Sequence, residues 1–182
     1  MMKRFVFIID YRRKVYLYFV TGRNLTNASR TWLLNWNYFT PEEKIIIKRE
    51  VLNDSDSFSP GPLLDVNNIW FDALYIHKAK VLRHVNIVEI AKPKSNNKLS
   101  FIAYYAGGTY ISQYQANNIN DGLIQWAKGL ELEYFSQIEK DIILRECLKE
   151  DVALNNINQS MWEYKIKIAT RKYLKLFIVV TA

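Results

Sequence analysis

Two histidines, His77 and His84, and one cysteine, Cys147, are the side chains here best suited to acid–base, nucleophilic or metal chemistry near neutral pH. His77 has Asp72 nearby in sequence, so a general base with an orienting carboxylate is conceivable there, but no nucleophile is marked as its partner. No HExxH and no His/Cys ligand spacing occurs, so no metal or cofactor is expected. Cys147 falls on the apolar stripe of a helix in an acidic segment, where a thiol behaves as a small hydrophobe and not as a thiolate. Asp54, Asp56 and Asp65 begin like a calcium loop. Phe58 and Ser59 then stand where a ligand and the obligatory glycine belong, and no Glu closes the site. Gly107-Gly108 could cradle a phosphate only if a helix followed, and the strand-like TYISQY follows instead. No catalytic residue is assigned, and the balance leans against an enzyme.

The strongest functional pattern combines cations with aromatics. Tyr11, Arg12, Arg13 and Lys14 fill one turn, and Lys165, Lys167, Arg171, Lys172 and Tyr173 lie on or beside another. Such a surface suits an acidic protein, because Tyr and Arg are enriched at interface hot spots. It also suits nucleic acid through phosphate contacts and stacking. A third reading is that the cations only blunt sheet edges.

These residues must be positioned by the surrounding elements. Lys98–Gln115 reads as a hairpin about Gly107-Gly108, the first strand apolar on both faces and the return strand more polar, hence either nearer an edge or lining a polar surface. The tyrosines Tyr104, Tyr110 and Tyr114 are assigned to sheet packing. Segments 4–20 and 164–181 read as two further hairpins with basic turns. They resemble each other locally, and no wider repeat is inferred from them. Apolar spacing predicts helices over 25–39 and, less regularly, within 63–80. Thr40-Pro41-Glu42-Glu43 is a capping box that opens a helix to about Leu52. Asn120-Asp121 caps a short helix ending at Gly129. Ser136 with Glu139 opens another, whose buried stripe is Ile138, Ile142, Ile143, Cys147 and Leu148.

The expected fold is α+β, one domain over residues 1–182, a mainly antiparallel sheet of hairpins with several covering helices. Hydrophobic residues make up 49% and charged residues 24%, ordinary values for a globular chain. A single cysteine points to a reducing, cytoplasmic setting, and no run approaches the ~18 apolar residues of a membrane helix. The net charge of +7 is unevenly spread. Residues 121–151 hold eight acidic and four basic groups, whereas 152–182 hold one acidic and five basic. The function class favoured is a non-enzymatic protein-binding module, a cytoplasmic inhibitor of an acidic partner such as an immunity protein neutralising its cognate toxin. The alternative is a basic nucleic-acid-binding or nuclease-like protein.

Overall fold

The computed structural model describes residues 1–11, 14–51, 58–76 and 80–182. The chain divides into two compact units, Met1–Ile90 and Ala91–Ala182. The first contains β1 (Lys3–Tyr11), β2 (Lys14–Gly22), α1 (Leu25–Asn35), α2 (Pro41–Ile46) continued by a π-helical turn (Ile47–Val51), β3 (Gly61–Pro62), β4 (Ile69–Ile76) and β5 (Lys80–Ile90). The second contains β6 (Asn97–Tyr105), β7 (Gly108–Ala116), α3 (Ile119–Lys128), α4 (Gln137–Cys147), β8 (Asn155–Asn158), β9 (Met161–Ala169) and β10 (Lys172–Thr181). The α+β class built on antiparallel hairpins is as expected. Among the described residues no helix is long and apolar enough to cross a membrane.

Each unit is the same ββααβββ pattern. The strand order is β2-β1-β5-β4-β3 in the first and β7-β6-β10-β9-β8 in the second, all antiparallel. The registers correspond: Arg4 faces Ile90 as Lys98 faces Thr181, and Trp70 faces Ile87 as Trp162 faces Ile178. From residue 3 to 36 the units superpose in sequence at a constant offset of 94 residues, with Phe7/Phe101, Ile8/Ile102, Tyr11/Tyr105, Tyr16/Tyr110, Asn24/Asn118 and Trp32/Trp126 identical. Beyond the helix the offset becomes 96, and NYFTPEEKIII (37–47) matches EYFSQIEKDII (133–143). The first hairpin's counterpart is therefore the central one, not the last as its basic turn suggested. The shared identities lie mostly in apolar, ring and capping residues, which comparing turn charges does not reveal.

The repeated residues do repeated work. Asn24 and Asn118 each cap a helix by accepting from the backbone N–H three residues on, at 2.8 Å in both. Thr40/Glu43 and Ser136/Glu139 each close a capping box. On the helix-covered sheet face, Phe7 stacks on Trp32 at 5.1 Å and Phe101 on Trp126 at 5.8 Å. The helix also approaches the end of the second strand closely in both units. Gly22 meets Ala28 in the first unit, where an added Cβ would lie 3.0 Å from the Ala28 nitrogen. In the second the pair is reversed, Ala116 against Gly122. One side of this contact must lack a Cβ, and either side serves.

Several sequence expectations are corrected. Residues 69–76 form β4 and not a helix, because the Ile-Trp-Phe run suits a pleated surface and gains a full ladder against β5. The central turn is Ala106-Gly107, at φ 51° and 84°, and Gly108 already belongs to β7. The cap of α3 is Asn118, two residues before the expected Asn120. The stripe of α4 is narrower than its pattern: Ile143 and Cys147 are buried, while Ile138 is 73% and Leu148 55% exposed. His77 and the calcium-like Asp54 and Asp56 lie outside the described residues.

Replacing fully buried Phe101 by Ala removes the platform of Trp126. A loss of about 3–5 kcal/mol in unfolding free energy is expected, the usual range for Phe→Ala in a packed core. Urea unfolding checks it, and a change below about 1 kcal/mol, small for such a deletion, contradicts the assigned packing.

Candidate functional site

The cation–aromatic residues separate once placed. Tyr11 is buried in the first unit's core, its ring 5.8 Å from Trp36 and 6.3 Å from Tyr16. Strand alternation turns it toward the helices, so the side chain offers nothing to a partner. Lys14 is exposed at the start of β2. Arg12 and Arg13 lie outside the described residues.

The second unit does assemble its group. Lys165 and Lys167 alternate outward along β9, opposite Lys175 and Tyr173 of β10. Tyr173 is 56% exposed. Arg171 sits in the tight turn at φ 61°. Two of the cations are neutralised. Lys175 pairs with Glu163 at 2.8 Å, and Lys172 reaches across to α4, pairing with Glu139 at 2.7 Å. Among the described residues no ion pair joins Lys165, Lys167 or Arg171.

Lys172 belongs to a small network. Its Nζ lies 4.7 Å over the ring of Tyr105, whose hydroxyl donates to the same Glu139 oxygen that the lysine contacts. These hydrogen bonds, first from Lys172 and then from Tyr105, hold the Glu139 carboxyl down at about 2. The Lys172 ammonium is pushed up to about 12, chiefly by its bond to Glu139. Glu139 is also the capping residue of α4, so the network ties the β10 turn to that helix's N-terminus.

A second feature was not anticipated. A cleft of about 440 Å³ opens in the second unit between β7 and the α3–α4 connection, lined by Tyr110, Ser112, Tyr114, Trp126, Glu131 and Tyr134 among others. The tyrosines assigned to sheet packing thus include two that line a cavity. Tyr110 lies 5.1 Å from both Tyr134 and Phe135, and Phe135 in turn stacks on Tyr105 at 5.3 Å. Two glycines make room for the tyrosines. A Cβ on Gly108 would come within 2.7 Å of the Tyr110 hydroxyl, and one on Gly129 within 2.2 Å of the Tyr114 hydroxyl. The Tyr134 hydroxyl is raised in pKa chiefly by the Glu133 charge, and Glu131 adds to the effect. Burial raises Tyr114. The signal in the sequence was the repeat itself: Lys14, Val20 and Asn35 stand where the second copy has Gly108, Tyr114 and Gly129.

Other reactive groups are quiet. Cys147 is buried and its thiol is pushed up to about 12 by desolvation, leaving no thiolate at neutral pH. His84 is an exposed strand residue whose ring stacks on Phe71 at 5.8 Å. Among the described residues no group of three His, Cys, Asp or Glu side chains could hold a metal ion.

Two outcomes are expected. Gly129→Ala displaces Tyr114 and costs about 1–3 kcal/mol, as overpacking does, whereas Gly129→Ala combined with Tyr114→Phe recovers most of the loss. Thermal unfolding of both variants checks this, and equal loss in the two contradicts it. The Glu139 carboxyl lies below its ordinary 4.5, so its stabilisation is present above that value and fades as pH falls toward 2. The Lys172 ammonium lies above its ordinary 10.5, so its share is present below that value and fades as pH rises toward 12. Glu139→Gln therefore lowers stability between about pH 4.5 and 10.5 and flattens the acid limb of the stability–pH curve, measurable by denaturation across pH. No protein-family model, no curated protein and no solved structure matches this chain.

Proposed function

We propose that this protein is a non-enzymatic binding module, a cytoplasmic inhibitor that occludes a partner protein of acidic surface as an immunity protein occludes its cognate toxin. The observation that supports this reading is the β9–β10 face. An exposed Tyr173 there stands among Lys165, Lys167 and Arg171, on a hairpin stiffened by the Lys175–Glu163 and Lys172–Glu139 pairs. An aromatic anchor with cations around it has the make-up of an interface hot spot, and cations outside an ion pair speed encounter with an acidic partner. Glu163 and Glu139 neutralise Lys175 and Lys172, which leaves Lys165, Lys167 and Arg171 outside an ion pair on this face, fewer cations than the roughly 6–10 phosphate contacts of a strong nucleic-acid binder.

The test is capture at low salt from lysate of the source cells, using the wild-type chain and the Lys165→Glu/Lys167→Glu variant. One stoichiometric acidic protein retained by the wild type and lost by the variant is the expected result. No such partner, or capture indifferent to charge reversal, removes the reading. Retention of RNA or DNA at about 50 mM salt, released steeply as salt rises, moves the assignment to the nucleic-acid alternative.

A further inference from the structure

The repeat supplies an internal comparison for the cleft. In the first unit the position of Leu130 is held by Trp36, which is buried and packs at 5.5 Å from Tyr38, 5.8 Å from Tyr16 and 4.8 Å from Phe39. The two tyrosine rings touch each other at 4.5 Å, and the indole packs against both. The second unit keeps the tyrosine pair, as Tyr110 and Tyr134, and replaces the indole with the smaller Leu130. It also inserts two residues directly after that position, which is why the offset grows from 94 to 96. The inserted pair is Glu131-Leu132. Glu131 is the sole charged residue among those lining the cleft. Glu133 follows where the first unit has the neutral Asn37. Leu132 of the inserted pair is 62% exposed, and Ile138, which replaces Glu42 of the first unit, is 73% exposed.

Three changes thus coincide. The indole gives way to Leu130, glycines admit Tyr110 and Tyr114, and a carboxylate enters the lining. The tyrosine pair stays in contact at 5.1 Å, and the cleft beside it is lined by aromatic rings and one carboxylate. Aromatic rings lining a cleft attract a cation through their quadrupoles, and a carboxylate beside them adds charge-assisted hydrogen bonding. The volume falls within the ~300–1,000 Å³ of small-ligand sites, enough for one long side chain and its flanking backbone.

From this geometry we infer that the cleft of the second unit receives a lysine or arginine side chain presented by a partner polypeptide, with Tyr110 and Tyr134 as the cation-binding faces and Glu131 as the anionic partner. The inference rests on the reading of the chain as a protein-binding module. It concerns a different surface from the Lys165/Lys167 face, so the two stand or fall in separate experiments.

The test uses the full chain and the peptides acetyl-Gly-Arg-Gly-amide, its lysine analogue and its citrulline analogue, followed by amide shifts of Gly129, Tyr110 and Tyr134 and by Trp126 fluorescence. The arginine and lysine peptides are expected to shift those amides saturably. The neutral citrulline peptide, Glu131→Gln and Tyr134→Ala are each expected to weaken binding by roughly 3- to 30-fold, the span of a cation–π or exposed charge-assisted contact. Tyr134 is 47% exposed and Glu131→Gln is isosteric, so both variants keep the fold, which far-UV circular dichroism confirms. Citrulline binding as tightly as arginine, or Glu131→Gln leaving affinity unchanged, overturns the assignment. Free guanidinium or tetramethylammonium binding as tightly as the peptides replaces the polypeptide with a small organic cation and also overturns it. Failure here leaves the Lys165→Glu/Lys167→Glu result untouched, and failure there leaves this one untouched.

Discussion

The structure depends on one contact made twice, a phenylalanine in the middle of a buried strand stacked on a tryptophan in the middle of the first helix. Phe7 with Trp32 and Phe101 with Trp126 lock each helix over its sheet at matching heights. Both strands that carry the phenylalanine are buried over five consecutive residues, hence on both faces, so a register slip moves two packed side-chain sets at once. The asparagine caps begin the helices at equivalent positions, and the glycine–alanine contact lets each helix lie close to the strand before it. These local devices agree with one another, and agreement of local and global preference is what gives a sequence one fold.

A frame that is used twice separates scaffold from surface. What the copies share includes the stacked pair, the boxes at Thr40 and Ser136, and the buried Phe ahead of each box, Phe39 and Phe135. They differ inside as well, Val6 and Ile9 standing where the second copy has Ser100 and Ala103. The first copy packs Trp36 against its tyrosine pair, and the second has Leu130 there, in the lining of a cleft that also holds Glu131. The first copy has Asn35 and the short Val20 at the matching positions, and the second needs Gly129 to admit Tyr114. A glycine that exists to make room for a tyrosine hydroxyl is a commitment of packing to a cavity, because filling the same space with carbon would gain burial.

Electrostatics follows the same division. On the last hairpin, Lys172 and Lys175 are tied to Glu139 and Glu163, and their role is to join the turn to α4 and to steady the β9–β10 face. Lys165, Lys167 and Arg171 have no such duty. Counting charges along the chain gives a basic C-terminal segment, yet only part of that charge faces outward for a partner.

By itself the sequence determined the α+β class, the three hairpins, both capping boxes and the inertness of Cys147. Each depends on short-range chemistry: alternation, turn residues, a Ser or Thr followed three residues later by Glu, a thiol on an apolar stripe. It also contained the repeat, spread across identities such as Trp32/Trp126 and Glu43/Glu139 that gain meaning only when strand order aligns them. The tertiary structure alone decided three matters. It made 69–76 a strand, because β5 was there to pair with it and the apolar spacing suited either form. It turned Tyr11 inward and Tyr173 outward, because each side chain's face is set by its strand's position in the sheet. And it opened a cleft around Tyr110 and Tyr134, because a cavity is defined by what is missing between residues distant in sequence, Leu130 standing where the other copy has Trp36.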